Sequence, residues 1–165
     1  PQYTPVKPDH FPKVAQVKSV GEGEVLKAGA IAITAHMTPG HTPGSTSWTW
    51  KSCDGAKCLD VVYADSLTAI SLGDYKYTGG KGAPDVSKLF KASIDKIAAL
   101  KCDVLLTTHP GASGMMEKLA AKTATRNPFL AAGACRDLAS RAHAGLATRL
   151  ATEQGERTAA VYSSD

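Results

Sequence analysis

Short apolar runs of strand length, each stopping at a turn rich in Pro, Gly and hydroxyl side chains, are the feature that most restricts how this chain can fold. Ala30 to Thr34, Ser45 to Trp50 and Leu59 to Tyr63 are too short for stable helices and rich in β-branched or aromatic residues, so they read as strands. Val14 to Val20 alternates apolar and polar residues and reads as another strand. Glu24 to Lys27 and Ala30 to Thr34 flank Ala28-Gly29, which suggests a hairpin. Cys53 to Cys58 looks like the tip of a second hairpin, and the glycine-rich stretch 71–84 reads as a long loop.

Helical periodicity begins only beyond that loop. Val86, Leu89, Phe90, Ile94, Ile97 and Leu100 recur at helical spacing, predicting a helix from Asp85, as N-cap, to Leu100. Asp103 to Thr107 has strand composition. A second helix is expected over Ser113 to Ala124 and a third over Pro128 to Thr152, with Cys135, Leu138, Ala139, Ala142, Leu146 and Leu150 on one face. Strands first, then strand and helix in alternation, indicate a sheet covered by helices, of the α+β or α/β class.

The 165 residues amount to about one domain by a prior of roughly 150 residues each. A 43% apolar and 21% charged composition excludes a disordered chain. The net charge of +4 comes from singly scattered Lys and Arg, which argues against a nucleic-acid partner, since that needs clustered charge. No apolar run approaches the ~20 residues of a membrane helix. The opening, Pro1 to Pro8 with three prolines, reads as a linker, residues 1–13 being linker-like and 150–165 a mobile tail. It lacks the pattern of a signal peptide, and the expectation is that something upstream has been removed.

Four cysteines, at 53, 58, 102 and 135, allow three pairings. Cys53 and Cys58 flank a hairpin tip, and Cys102 and Cys135 could pin a helix to the sheet. Two disulfides and an oxidising compartment are the favoured reading, with four reduced, buried cysteines as the alternative. No CxxC spacing supports a structural zinc site.

Of five histidines, His10, His36 and His143 read as surface or structural residues. His41 and His109 differ. Each lies just past a strand in a Pro/Gly turn, Thr38-Pro-Gly-His-Thr-Pro-Gly-Ser45 and Thr107-Thr-His-Pro-Gly-Ala-Ser113. Such turns hold an imidazole in place, as a metal ligand requires, although two unrelated turn histidines remain the alternative. A third strand end, Val61-Val-Tyr-Ala-Asp-Ser66, also delivers polar groups, and strand ends at one sheet edge are where α/β sites assemble.

Those three segments resemble the later motifs of the metallo-β-lactamase superfamily, most of all its subclass B3, over roughly Tyr3 to Arg149. The resemblance implies a four-layer αββα sandwich, of which this chain is mainly the C-terminal half. It implies two zinc ions per intact site, with His41 on the first and His109 on the second. Ser66 stands where other subclasses carry a zinc-binding cysteine, and the hydroxyls of Ser66 and Thr68 are expected to hold the substrate's carboxylate. Asp65 is expected to orient the loop or a ligand without binding metal. In thioesterase- or lactonase-like members it would instead bridge two metals, and a non-catalytic module of this fold is a third reading. Cys102 with Cys135, and Cys53 with Cys58, match disulfides of the subclass.

The implied activity is hydrolysis of the β-lactam amide, carbapenems included, by a zinc-bound hydroxide, in a periplasmic or secreted resistance enzyme. The superfamily's His-x-His-x-Asp-His motif is absent, and no two histidines here are separated by one residue. The expectation is that an N-terminal half, or another chain, completes the fold, and that this chain by itself is nearly inactive.

Overall fold

A computed structural model describes residues 14–70, 73–80 and 82–162. Five strands form one sheet in the order β1 (Val25–Ala28), β2 (Ile31–Met37), β3 (Thr46–Asp54), β4 (Lys57–Ala64) and β5 (Val104–Thr107). The first four meander antiparallel, with Cys53 opposite Cys58 at the second hairpin tip. β5 adds parallel to β4, Ala64 standing opposite Thr107. That parallel step needs a crossover, supplied by the loop after β4 and α1 (Ser87–Ala99). A 3-10 turn (Pro110–Ser113), α2 (Met115–Ala120) and α3 (Ala134–Tyr162) follow.

The two long helices cover one face of the sheet. Val62, Ala64 and Leu105 pack into a core with Phe90, Ile94 and Ile97 of α1 and with Cys135, Leu138, Ala139, Ala142 and Leu146 of α3. Tyr77 of the crossover loop is fully buried there, stacked on Phe90 at 5.6 Å and donating its phenol to Ile70 O at 2.7 Å. Strand register puts Ile33, Met37, Trp48, Trp50, Tyr63 and Leu106 on the opposite face, where each is only half-buried. The described residues therefore make two layers, a sheet and its helices, with a second apolar sheet face left incompletely covered.

Both disulfides form, Cys53–Cys58 across the hairpin and Cys102–Cys135 from the approach to β5 into α3. Several element boundaries depart from expectation. Val14–Val20 is not a strand: among the described residues none pairs with it, and Val14 and Val17 are 72% and 81% exposed. The second helix is split, because Gly114 adopts a left-handed backbone (φ 64°) between the 3-10 turn and α2, which ends at Ala120. The third starts at Ala134 rather than Pro128, because Leu130 bridges to Val104 and Ala131 N–H donates to Asp103 O, so this stretch runs along β5. It continues to Tyr162 and carries the fully buried Glu153, so 150–162 is helical. The first helix begins at Ser87, with Asp85 two residues upstream accepting from Ser87 N–H at 2.8 Å and its hydroxyl at 2.6 Å. Leu89 is half exposed and off the core face. His10 and the linker-like opening 1–13 lie outside the described residues.

Candidate functional site

Three loops leave the same end of the sheet: 38–45 between β2 and β3, 65–69 after β4, and 108–113 after β5. The first carries His41 and is clamped from both sides. Thr38 N–H donates to Ser45 O at 2.9 Å, and the hydroxyls of Thr42 and Ser45 lie 2.8 Å apart. Ser93 of α1 donates its hydroxyl to Pro39 O at 2.7 Å. Gly40 sits against the Phe90 ring at φ 148°, where a Cβ would stand 2.2 Å from the ring. Only glycine lets the turn approach α1 this closely. The strand end behind it is held too: Lys96 donates to Met37 O at 2.8 Å and to Glu22, which accepts from Met37 N–H at 2.8 Å. The hydrogen bond from Lys96 is the main cause holding the Glu22 carboxyl below its usual range, against its desolvation.

A buried hydroxyl pair ties this loop to the next. Thr38 and Ser47 Oγ atoms lie 2.9 Å apart, and Ser47 Oγ accepts from Asp65 N–H at 3.0 Å. Asp65 Oδ1 then accepts from Ser66 N–H at 2.7 Å, which sets the turn after β4. Ser66 is 8% exposed and its Oγ faces Thr68 N–H at 3.4 Å, whereas Thr68 is exposed. His41 Nδ1 lies 2.8 Å from Thr68 O. A carbonyl can only accept, so Nδ1 carries the proton and a neutral ring keeps its lone pair on Nε2. That is the arrangement by which a carbonyl orients a metal-binding histidine.

His109 follows β5 on the exposed side of its loop. Its carbonyl accepts from the Thr107 hydroxyl at 2.7 Å, and the Ser113 hydroxyl lies 3.0 Å from that of Thr107. A cavity of about 190 Å³ joins the second and third loops to α3, lined by Asp65, Ser66, Thr68, His109 and Arg141 among others. His41 is attached to this group through Thr68 O rather than lining it.

The fold thus brings Asp65, Ser66, Thr68 and His109 to one cavity and His41 to its rim. His36 is separate: its Nε2 lies 2.8 Å from Thr49 Oγ1, and burial is the main reason its imidazole is pushed below the ordinary range. His143 is 2.7 Å from Asp95 Oδ1, linking α3 to α1. Neutral imidazole is a donor of the kind zinc accepts, but among the described residues no three His, Cys, Asp or Glu gather as a metal site. The donors fit zinc in kind and fall short in number.

Sequence reasoning missed Gly40, Ser47 and Arg141. Gly40 lies inside the recognised Pro-Gly-His turn, but its partner Phe90 is 50 residues away. Arg141 stands beside Leu138 and Ala142 at helical spacing, and only the docking of α3 aims that side at the cavity.

No protein-family model matches the chain. Solved structures do. MEM-A1, a subclass B3 metallo-β-lactamase from a soil metagenome library, is 39% identical over 88% of this chain, with a TM-score of 0.82. The metallo-β-lactamase SMB-1 is 38% identical over 93% of the chain, also with a TM-score of 0.82. BJP-1, a subclass B3 metallo-β-lactamase of Bradyrhizobium japonicum, is 32% identical over 92%, with a TM-score of 0.73. The matches cover 55%, 59% and 55% of those three proteins, so the chain spans little more than half their length.

Proposed function

Because the chain belongs to the metallo-β-lactamase superfamily, with subclass B3 enzymes among its structural relatives, we propose that it forms part of a zinc-dependent β-lactam hydrolase. The observation that carries this reading is the Nδ1–H···O bond from His41 to Thr68, which joins a histidine with a free Nε2 to the loop proposed to hold substrate. Zinc, when bound, supplies an acidified water near neutral pH and a Lewis acid for the carbonyl oxygen. His41 would hold one ion through Nε2, and His109, on its own anchored turn, a second. Asp65 orients the turn without binding metal, its Oδ1 being engaged by Ser66 N–H. Thr68, exposed at the cavity, and Ser66 in its wall supply hydroxyls for the carboxylate of a β-lactam.

One imidazole per ion cannot hold zinc tightly, so the remaining ligands come from a second polypeptide segment bearing the superfamily's paired-histidine motif. That segment also covers the half-buried sheet face of Trp48, Trp50 and Tyr63. Two disulfides support a periplasmic or secreted site of action, where such bonds persist. Among the described residues no helix is long and apolar enough to cross a membrane.

The test mixes the purified chain with zinc, with and without a polypeptide carrying the His-x-His-x-Asp-His motif, and follows carbapenem hydrolysis by ultraviolet absorbance. The chain by itself should be nearly inactive, the mixture active, and His41→Ala should abolish that activity. Full-rate hydrolysis by the chain alone would remove the need for a second segment. A zinc-loaded mixture that hydrolyses a thioester or lactone but no β-lactam would overturn the β-lactamase reading.

A further inference from the structure

The tautomer of His41 depends on one carbonyl, Thr68 O, in a loop, 65–70, that has no regular structure of its own. A neutral imidazole carries its proton on either nitrogen, and the bond made by one decides which. The carbonyl must therefore be held still. Two fully buried hydroxyl side chains grip this loop from its ends, and neither lines the cavity. At the start, Ser47 Oγ on β3 accepts from Asp65 N–H at 3.0 Å. At the finish, Tyr77 donates its phenol to Ile70 O at 2.7 Å. Thr68 stands between the two grips.

Each anchor also reaches the turn that carries His41. Ser47 Oγ lies 2.9 Å from Thr38 Oγ, on the residue that opens that turn, so one oxygen ties the imidazole's loop to its acceptor's loop. The Tyr77 ring stacks on Phe90, the same ring that Gly40 of the His41 turn lies against. Glu153 of α3 in turn accepts from Tyr77 N–H at 3.0 Å. Burial pushes the Tyr77 phenol up to about 12, so it remains a donor near neutral pH. We propose that Ser47 and Tyr77 are positioning residues: without touching metal or substrate, they hold Thr68 O against His41 and so keep Nε2 free. That zinc uses this Nε2 rests on the reading above; the hold on the tautomer does not.

The test records long-range proton–nitrogen NMR spectra of the histidines in the nitrogen-labelled, metal-free 165-residue chain, at a pH above the imidazole range. His41 should give the Nδ1–H pattern by itself. Tyr77→Phe removes one oxygen and keeps the ring stack, and Ser47→Ala removes the other anchor. Each should shift His41 to a mixture of Nδ1–H and Nε2–H forms. His143, held by Asp95 between α3 and α1, should keep its wild-type pattern. A variant that only loosened the fold would change His143 as well. An unchanged His41 pattern in either folded variant, or a change matched at His143, overturns the proposal even if the zinc-loaded mixture hydrolyses β-lactams. If Ser47→Ala does not fold, Tyr77→Phe decides by itself. A shift confined to His41, with no hydrolysis by the wild-type mixture, keeps the positioning role and removes the β-lactam reading.

Discussion

At the scale of single residues, Glu153 shows how much of the fold rests on one buried carboxylate. It accepts from Tyr77 N–H at 3.0 Å, Thr78 N–H at 2.9 Å, the Thr78 hydroxyl at 2.7 Å and Arg149 Nε at 2.8 Å. Burial alone would raise its pKa, but these hydrogen bonds outweigh that and hold the carboxyl below its ordinary range. A lowered folded-state pKa gives stability that is fully present above about pH 4.5 and is lost as pH falls through the folded value. Glu153→Ala should cost about 3–5 kcal/mol, because Arg149 and two backbone N–H groups lose their acceptor. Urea unfolding of both proteins from pH 7 to pH 3 checks this, and the gap between them should narrow on acidification. A constant gap would place the effect in packing rather than charge. Arg149 lies one helical turn away, but the Tyr77 and Thr78 partners that fix this role are 76 and 75 residues away in sequence.

At the scale of elements, the two disulfides differ in what they constrain. Cys53–Cys58 closes a hairpin tip of sequence separation 5, whereas Cys102–Cys135 spans 33 and ties α3 to the strand nearest the cavity. Entropy removed from the unfolded chain grows with loop length, so replacing Cys102 and Cys135 by Ser should cost about 3 kcal/mol or more and replacing Cys53 and Cys58 distinctly less. Melting temperatures of the two double variants make the comparison, and equal losses would contradict the loop-length account. Element type was readable from pattern where burial was one-sided. Phe90, Ile94 and Ile97 repeat at helical spacing and are all fully buried. Val14–Val20 alternates well but has no neighbouring strand among the described residues to supply hydrogen bonds, and alternation without a partner does not make a strand.

At the scale of the whole molecule, the helix layer covers one sheet face and leaves Ile33, Trp48, Trp50 and Tyr63 half-buried on the other. Such a face should bind an environment-sensitive apolar dye and promote self-association of the chain by itself. Sedimentation and dye fluorescence, with and without the polypeptide carrying the paired-histidine motif, test this. Both signals should fall when that polypeptide is added. No change on addition would count against this face as its seat.

The sequence by itself placed the five strands to within about four residues, with the Pro/Gly turns around His41 and His109 and the cysteine positions, because these depend on local backbone preference and short-range spacing. It also carried the motifs that place the chain in its superfamily. Only the tertiary structure decided which nitrogen of His41 stays free, that Gly40 must lie against Phe90, and that α3 aims Arg141 at the shared cavity. Those outcomes depend on contacts between segments tens of residues apart, and such contacts exist only after the helices have docked on the sheet.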